Sequence, residues 1–102
     1  MTKALQIFME YKVIEQKINE YEQAMERVLT ELPEFGATNI QWFVSEEQPF
    51  LYVEMYEVPT FAHYHALKKL RRSEEHHIFG EIAAYIDGGI EKIHCWAFQR
   101  KE

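Results

Sequence analysis

Four of the five histidines fall within fifteen residues, at His63, His65, His76 and His77. An imidazole titrates near neutral pH and serves as a general base or metal ligand, so this stretch is the first place to look for chemistry. Spacing limits what it can do. On a helix His63 and His65 point about 200° apart, so they cannot chelate one metal, and the adjacent His76 and His77 diverge likewise. No metal site is expected. One residue of each pair can still converge on a pocket, and the spacing does not say which. The competing reading is helix-surface histidines, with His77 and Glu81 forming an i, i+4 surface pair.

A second constellation is Glu54 between Tyr52 and Tyr56. A carboxyl among rings is either an acid–base group or a carboxylate hydrogen-bonded to phenols or His94 inside an interface. The rule that buried polar groups find partners favours the interface. Cys95 has no neighbouring base in sequence and reads as buried and inert. The sequence contains no glycine-rich phosphate loop, no Cys-x-x-Cys and no serine nucleophile elbow.

The elements that must hold these residues follow from periodicity. Ala4 to Tyr11 alternates as a strand, with Leu5, Ile7 and Met9 opposed to Gln6, Phe8 and Glu10. Val13 to Leu32 turns helical, with Ile14, Ile18, Tyr21, Met25, Val28 and Leu32 at spacings of three and four. Pro33 and Gly36 end it. Ala37 to Val44 is a second strand that places Trp42 on the apolar side, where core packing is its default role. A polar connector, residues 45–49, leads as a hairpin into a third strand between Pro49 and Pro59. Its hydrocarbon face, Leu51, Val53 and Met55, is expected to lie under helices, leaving Tyr52, Glu54 and Tyr56 on the other side.

Pro59 suits the first turn of a helix whose buried face is Phe61, Tyr64, Leu67 and Leu70. The basic run at 68–72 complements its C-terminal dipole and reads as solvated. Ser73 caps a further short helix with the stripe Ile78, Ile82, Tyr85 and Ile86, stopped by Asp87-Gly88-Gly89. Ile90 to Phe98 is the last strand, with Cys95 facing the helices and His94, Trp96 and Phe98 opposite. The order β-α-β-β-α-β, with its second helix broken in two, specifies an α+β, ferredoxin-like fold: an antiparallel sheet with both helices on one face. Residues 1–102 are expected to be one domain.

Composition narrows the partners. Seventeen acidic against eleven basic residues give a formal charge of −6, which argues against nucleic acid or an anionic membrane as partner. The absence of an 18-residue apolar run and of a leader-like N-terminus, together with a single cysteine, gives the expectation of a cytoplasmic protein.

The run from Phe50 to Glu57, then Phe61-Ala62-His63-Tyr64-His65, then His76-His77-Ile78-Phe79, resembles the antibiotic biosynthesis monooxygenase family. The resemblance covers residues 50–98 by motif and the whole chain by topology. It implies a dimeric α+β barrel made from two ferredoxin-like sheets, with a small-molecule pocket in each subunit. The implied function is a small cofactor-independent monooxygenase acting on an aromatic or planar organic substrate. The base would be His65 or His77, in a helix–sheet pocket lined by Trp42, Phe61, Tyr64 and Phe79. The homodimer interface is expected to use Phe8, Tyr52, Glu54, Tyr56 and Trp96. Alternatives in the same superfamily are a sugar-mutarotase-like enzyme and a haem-degrading one. The haem-degrading branch has an Asn on the first strand where this chain has Gln6, and His76 or His77 would have to supply the iron ligand. A non-catalytic dimeric ligand-binding module is the alternative from a different class.

Overall fold

The computed structural model describes residues 4–101. The apolar–polar alternation of the strand segments becomes four strands: β1 (Leu5–Lys12), β2 (Thr38–Val44), β3 (Leu51–Val58) and β4 (His94–Phe98). They form one antiparallel sheet in the order β2-β3-β1-β4, the ferredoxin-like arrangement. Residues directly opposite one another share a face. Met9 pairs with Glu54 and Cys95, whereas Phe8 pairs with Met55 and Trp96. Helices α1 (Ile18–Glu31) and α2 (Phe61–Arg71), and a 3-10 segment over Phe79–Tyr85, cover the first of these faces.

Helix α1 buries Tyr21, Ala24, Met25 and Val28, the stripe that its 3.6-residue period marks out. Pro33 is accommodated at the start of a 3-10 turn, Leu32–Phe35, which ends at Gly36 in the left-handed region (φ +91°). Helix α2 begins at Phe61, two residues after Pro59. Thr60 is its N-cap, its hydroxyl accepting from the His63 amide at 3.2 Å.

Three expectations are overturned. In β3 the residues under the helices are Tyr52, Glu54, Tyr56 and Val58, all buried, while Leu51, Val53 and Met55 occupy the open face. Tyr52, Glu54 and Tyr56 therefore do not share a face with Phe8 and Trp96. The physical reason lies in α2. Its buried stripe is Tyr64, Leu67 and Arg71, so the helix delivers a guanidinium to the sheet and the strand answers with its carboxylate. The basic run is thus not wholly solvated. Phe61, at the head of the helix, is 58% exposed.

Candidate functional site

Arg71 lies fully buried above β3 and grips the Glu54 carboxylate with both terminal nitrogens, Nη1 to Oε1 at 2.6 Å and Nη2 to Oε2 at 2.7 Å. This is the bidentate fork that a guanidinium and a carboxylate form most strongly. The Tyr11 hydroxyl donates to the same Glu54 Oε2. Having given up its only proton, Tyr11 accepts from Tyr21 at 2.7 Å, and Tyr21 in turn accepts from Trp42 Nε1 at 3.0 Å. The result is a one-way relay, Trp42 to Tyr21 to Tyr11 to Glu54, closed on the other side by Arg71. Residues from β1, β2, β3, α1 and α2 each supply one member.

Burial raises the phenols of Tyr11, Tyr21 and Tyr56 well above the usual tyrosine range, and the Glu54 charge raises each further. Tyr52, which donates to Glu22 at 2.7 Å, is pushed up to about 12 by burial and by that carboxylate. These hydroxyls are donors at any physiological pH. Burial works against the charged guanidinium of Arg71, but the Glu54 carboxylate more than offsets it, so Arg71 stays protonated. Its Nε is buried and has no hydrogen-bond partner among the described residues. Glu54 is already bound on both oxygens, so it is poorly placed to take a substrate proton. The network locks the helices to the sheet.

The residues expected to form the pocket are not brought together. Trp42 stacks on Tyr52 and meets Tyr21 at one side of the core. Phe61 and Tyr64 touch each other at the start of α2. Phe79 is fully buried beneath Arg71, against Phe35 and His76. The space between helices and sheet is filled by Tyr11, Tyr21, Tyr56, Met25, Leu67 and Arg71.

Nor do the histidines converge. His65 is exposed beside Phe61, and His77 is exposed beside His76. His63 hydrogen-bonds the Thr60 hydroxyl through Nδ1 at 2.7 Å. His76 caps the 3-10 segment, its Nδ1 accepting from the amides of Ile78 and Phe79 at 3.1 and 3.0 Å. That bond requires a bare Nδ1, and burial with the neighbouring His77 lowers the His76 pKa accordingly. Haem does not fit this arrangement. His76 is turned into its own backbone, His77 faces solvent, and the helix–sheet side is packed with side chains.

A concavity does exist elsewhere. At the end of the sheet, on the open side, a cleft of about 330 Å³ is lined by Glu10, Tyr11, Lys12, Gln48, Leu51, Asp87, Gly88, Lys92 and His94. Sequence reasoning passed over most of these residues. Glu10 was legible as a strand residue on the Phe8 side, but Lys12 lay just past the expected strand and Asp87 and Gly88 read only as a helix stop. Nothing local joins that turn to β1. A smaller notch of about 140 Å³ lies beside Glu22, Trp42 and Tyr52.

The chain matches no protein-family model and no curated protein. Solved structures do share its fold. A conserved protein from Methanosarcina mazei Go1 is 17% identical, covering 98% of this chain and 95% of that one at a TM-score of 0.73. An antibiotic biosynthesis monooxygenase is 12% identical, covering 96% and 99% at a TM-score of 0.75. This is the fold of an antibiotic biosynthesis monooxygenase. A dimeric ferredoxin-like protein of unknown function from Jannaschia sp. CCS1 has it too, at 14% identity, 95% and 99% coverage and a TM-score of 0.69. At these identities the likeness speaks for the fold and leaves the chemistry to be argued from the residues.

Proposed function

We propose that the protein works as a homodimeric α+β barrel, its two sheets packed through their open faces, and that it oxidises a planar organic molecule with O₂ as a cofactor-independent monooxygenase. The observation that carries the reading is the uncovered sheet face. Phe8 and Trp96 lie there with ring centroids 5.6 Å apart, beside Leu51, Val53 and Met55. Phe43, Trp96 and Phe98 are 49%, 43% and 52% exposed. An aromatic side chain buries about 150–250 Å², of which about half remains open at each of these three, so they contribute a share of the roughly 800 Å² per partner that a stable interface needs. The dimeric ferredoxin-like neighbour supports a pairing of this kind, and Phe8 and Trp96 belong to the proposed interface.

Tyr56, by contrast, is a core residue, and an acidic substitution there would attack the fold rather than the dimer. A single free cysteine and the acidic surface are in keeping with a cytoplasmic setting. Among the described residues no helix is long and apolar enough to cross a membrane.

In the chemistry proposed, a dihydroxyarene loses a phenolic proton and its anion reduces O₂. The dihydroxyarene and O₂ become a hydroxyquinone and water, four electrons passing from the ring to oxygen. Exposure of His65 and His77 favours a second reading, a dimeric binding module without catalysis. Sedimentation velocity at micromolar concentration tests the dimer, and a clean monomer overturns it. Oxygen uptake with quinol-type substrates tests the chemistry. Uptake at the uncatalysed rate leaves the binding module.

A further inference from the structure

The cleft at the end of the sheet joins three pieces of chain that are distant in sequence. Glu10 on β1 sits directly opposite His94 on β4, and Lys12 opposite Leu51 on β3. Alternation places Glu10 and Lys12 on one face. The Asp87 amide donates to the Lys12 carbonyl at 2.8 Å, and Val13 bridges to Ile86, so the 87–89 turn is pinned to the end of β1. Gly88 has a φ of +86°, and a Cβ there would come within 2.5 Å of Lys92 Cγ. The Lys92 chain therefore lies along the bare Gly88 backbone, and a side chain at position 88 would displace it.

The charges at this cleft do not satisfy one another. Among the described residues, none of Glu10, Lys12, Asp87 or Lys92 has an ion-pair partner within 4 Å. Two ammonium groups, two carboxylates and an imidazole thus surround one concavity with half-buried Leu51 as its apolar wall. The volume of about 330 Å³ is at the lower end of the roughly 300–1,000 Å³ typical of small-molecule sites. It has room for one substituted ring.

We propose that this cleft binds a small aromatic hydroxy acid, its carboxylate between Lys12 and Lys92, its ring against Leu51, and its hydroxyl toward Glu10 and His94. A carboxylate meets ammonium donors in charge-assisted hydrogen bonds, and a phenol donates to a carboxylate or a bare imidazole nitrogen. The proposal rests on the small-molecule reading above but not on its oxygen chemistry. It moves the site from the helix side of the sheet to its open end, at the margin of the face that pairs two copies.

The test is a ¹⁵N–¹H NMR titration of the full chain with 2,5-dihydroxybenzoate, a quinol that carries a carboxylate. Saturable shifts are expected at Lys12, Leu51, Gly88, Lys92 and His94. Lys12→Gln and Lys92→Gln should each weaken binding about tenfold, and hydroquinone should bind the wild type more weakly by a similar factor. The spectra of the variants report directly whether they are folded. Shifts centred on another surface, no saturation at millimolar concentration, or undiminished binding by a folded Lys12→Gln/Lys92→Gln variant would overturn the site. Saturable binding here without oxygen uptake upholds the cleft and removes the oxygenase. Oxygen uptake that the double variant leaves unchanged removes the cleft and keeps the oxygenase.

Discussion

The two faces of this sheet solve opposite problems. Under the helices lie Tyr11, Tyr52, Glu54 and Tyr56, all buried, with Arg71 and Tyr21 reaching down to them. On the open side Phe8, Phe43, Val53, Met55 and Trp96 supply the apolar surface, alongside Gln6, Glu10, Lys12, Gln41, Glu57 and His94. By composition alone neither face is the obvious core. The difference teaches that a polar atom does not mark a solvent face when its partner arrives from another element. Tyrosine and arginine have long apolar bodies that pack like hydrocarbon, while their tips close a network. The aromatic and aliphatic part of the open face suits a surface brought by another chain, because it demands no matched donor or acceptor.

That contrast can be broken at its strongest point first. Arg71→Leu should destabilise the fold by about 3–5 kcal/mol, since it leaves the Glu54 charge buried and unpaired. Adding Glu54→Leu should restore much of the loss. Urea denaturation of the two variants reads both effects, and equal losses from the single and double changes would show that packing, not charge, is at stake. On the open face, Trp96→Glu should weaken dimerisation by about a hundredfold or more while hardly changing monomer stability. Sedimentation over a concentration series separates the two quantities.

Tyr11→Phe is a milder probe of the helix side. It removes the hydroxyl between Tyr21 and Glu54 and should cost about 1.5–3 kcal/mol, the range for a hydrogen bond to a charged group, again read by urea denaturation.

The smallest effect concerns His76. Its folded pKa is lowered, first by burial and then by His77, so the unfolded chain binds the proton more readily. The stability this group contributes is present above its unfolded value, about 6.5, and is lost as pH falls from there toward the folded value. His76→Asn keeps a cap acceptor that does not titrate. Thermal melts between pH 7 and pH 5 should therefore show a shallower acid-side loss in that variant.

Much of the fold was legible from period alone. The switch from two to 3.6 residues after Tyr11, the Pro49 and Pro59 brackets around β3, and the 87–89 stop place most elements to within a few residues. Alternation also put Trp42 and Cys95 on the helix side, where they lie. The candidate site was far less legible. His65 and His77 share a short stretch of chain but no surface, and the cleft draws on residues 10–12, 48–51 and 87–94, which only the sheet register brings together.

What the sequence determined by itself was the order of strands and helices and the existence of two unlike faces on each strand, because side-chain direction is a local consequence of backbone geometry. Which face of β3 goes inward was beyond it. Both faces carry enough apolar surface to be buried, and the choice turns on Arg71, seventeen residues away from Glu54. That guanidinium reaches its carboxylate only once α2 has packed back across the sheet. The decision therefore belongs to a tertiary contact, in which a buried charge is tolerable only where its counter-charge is already held.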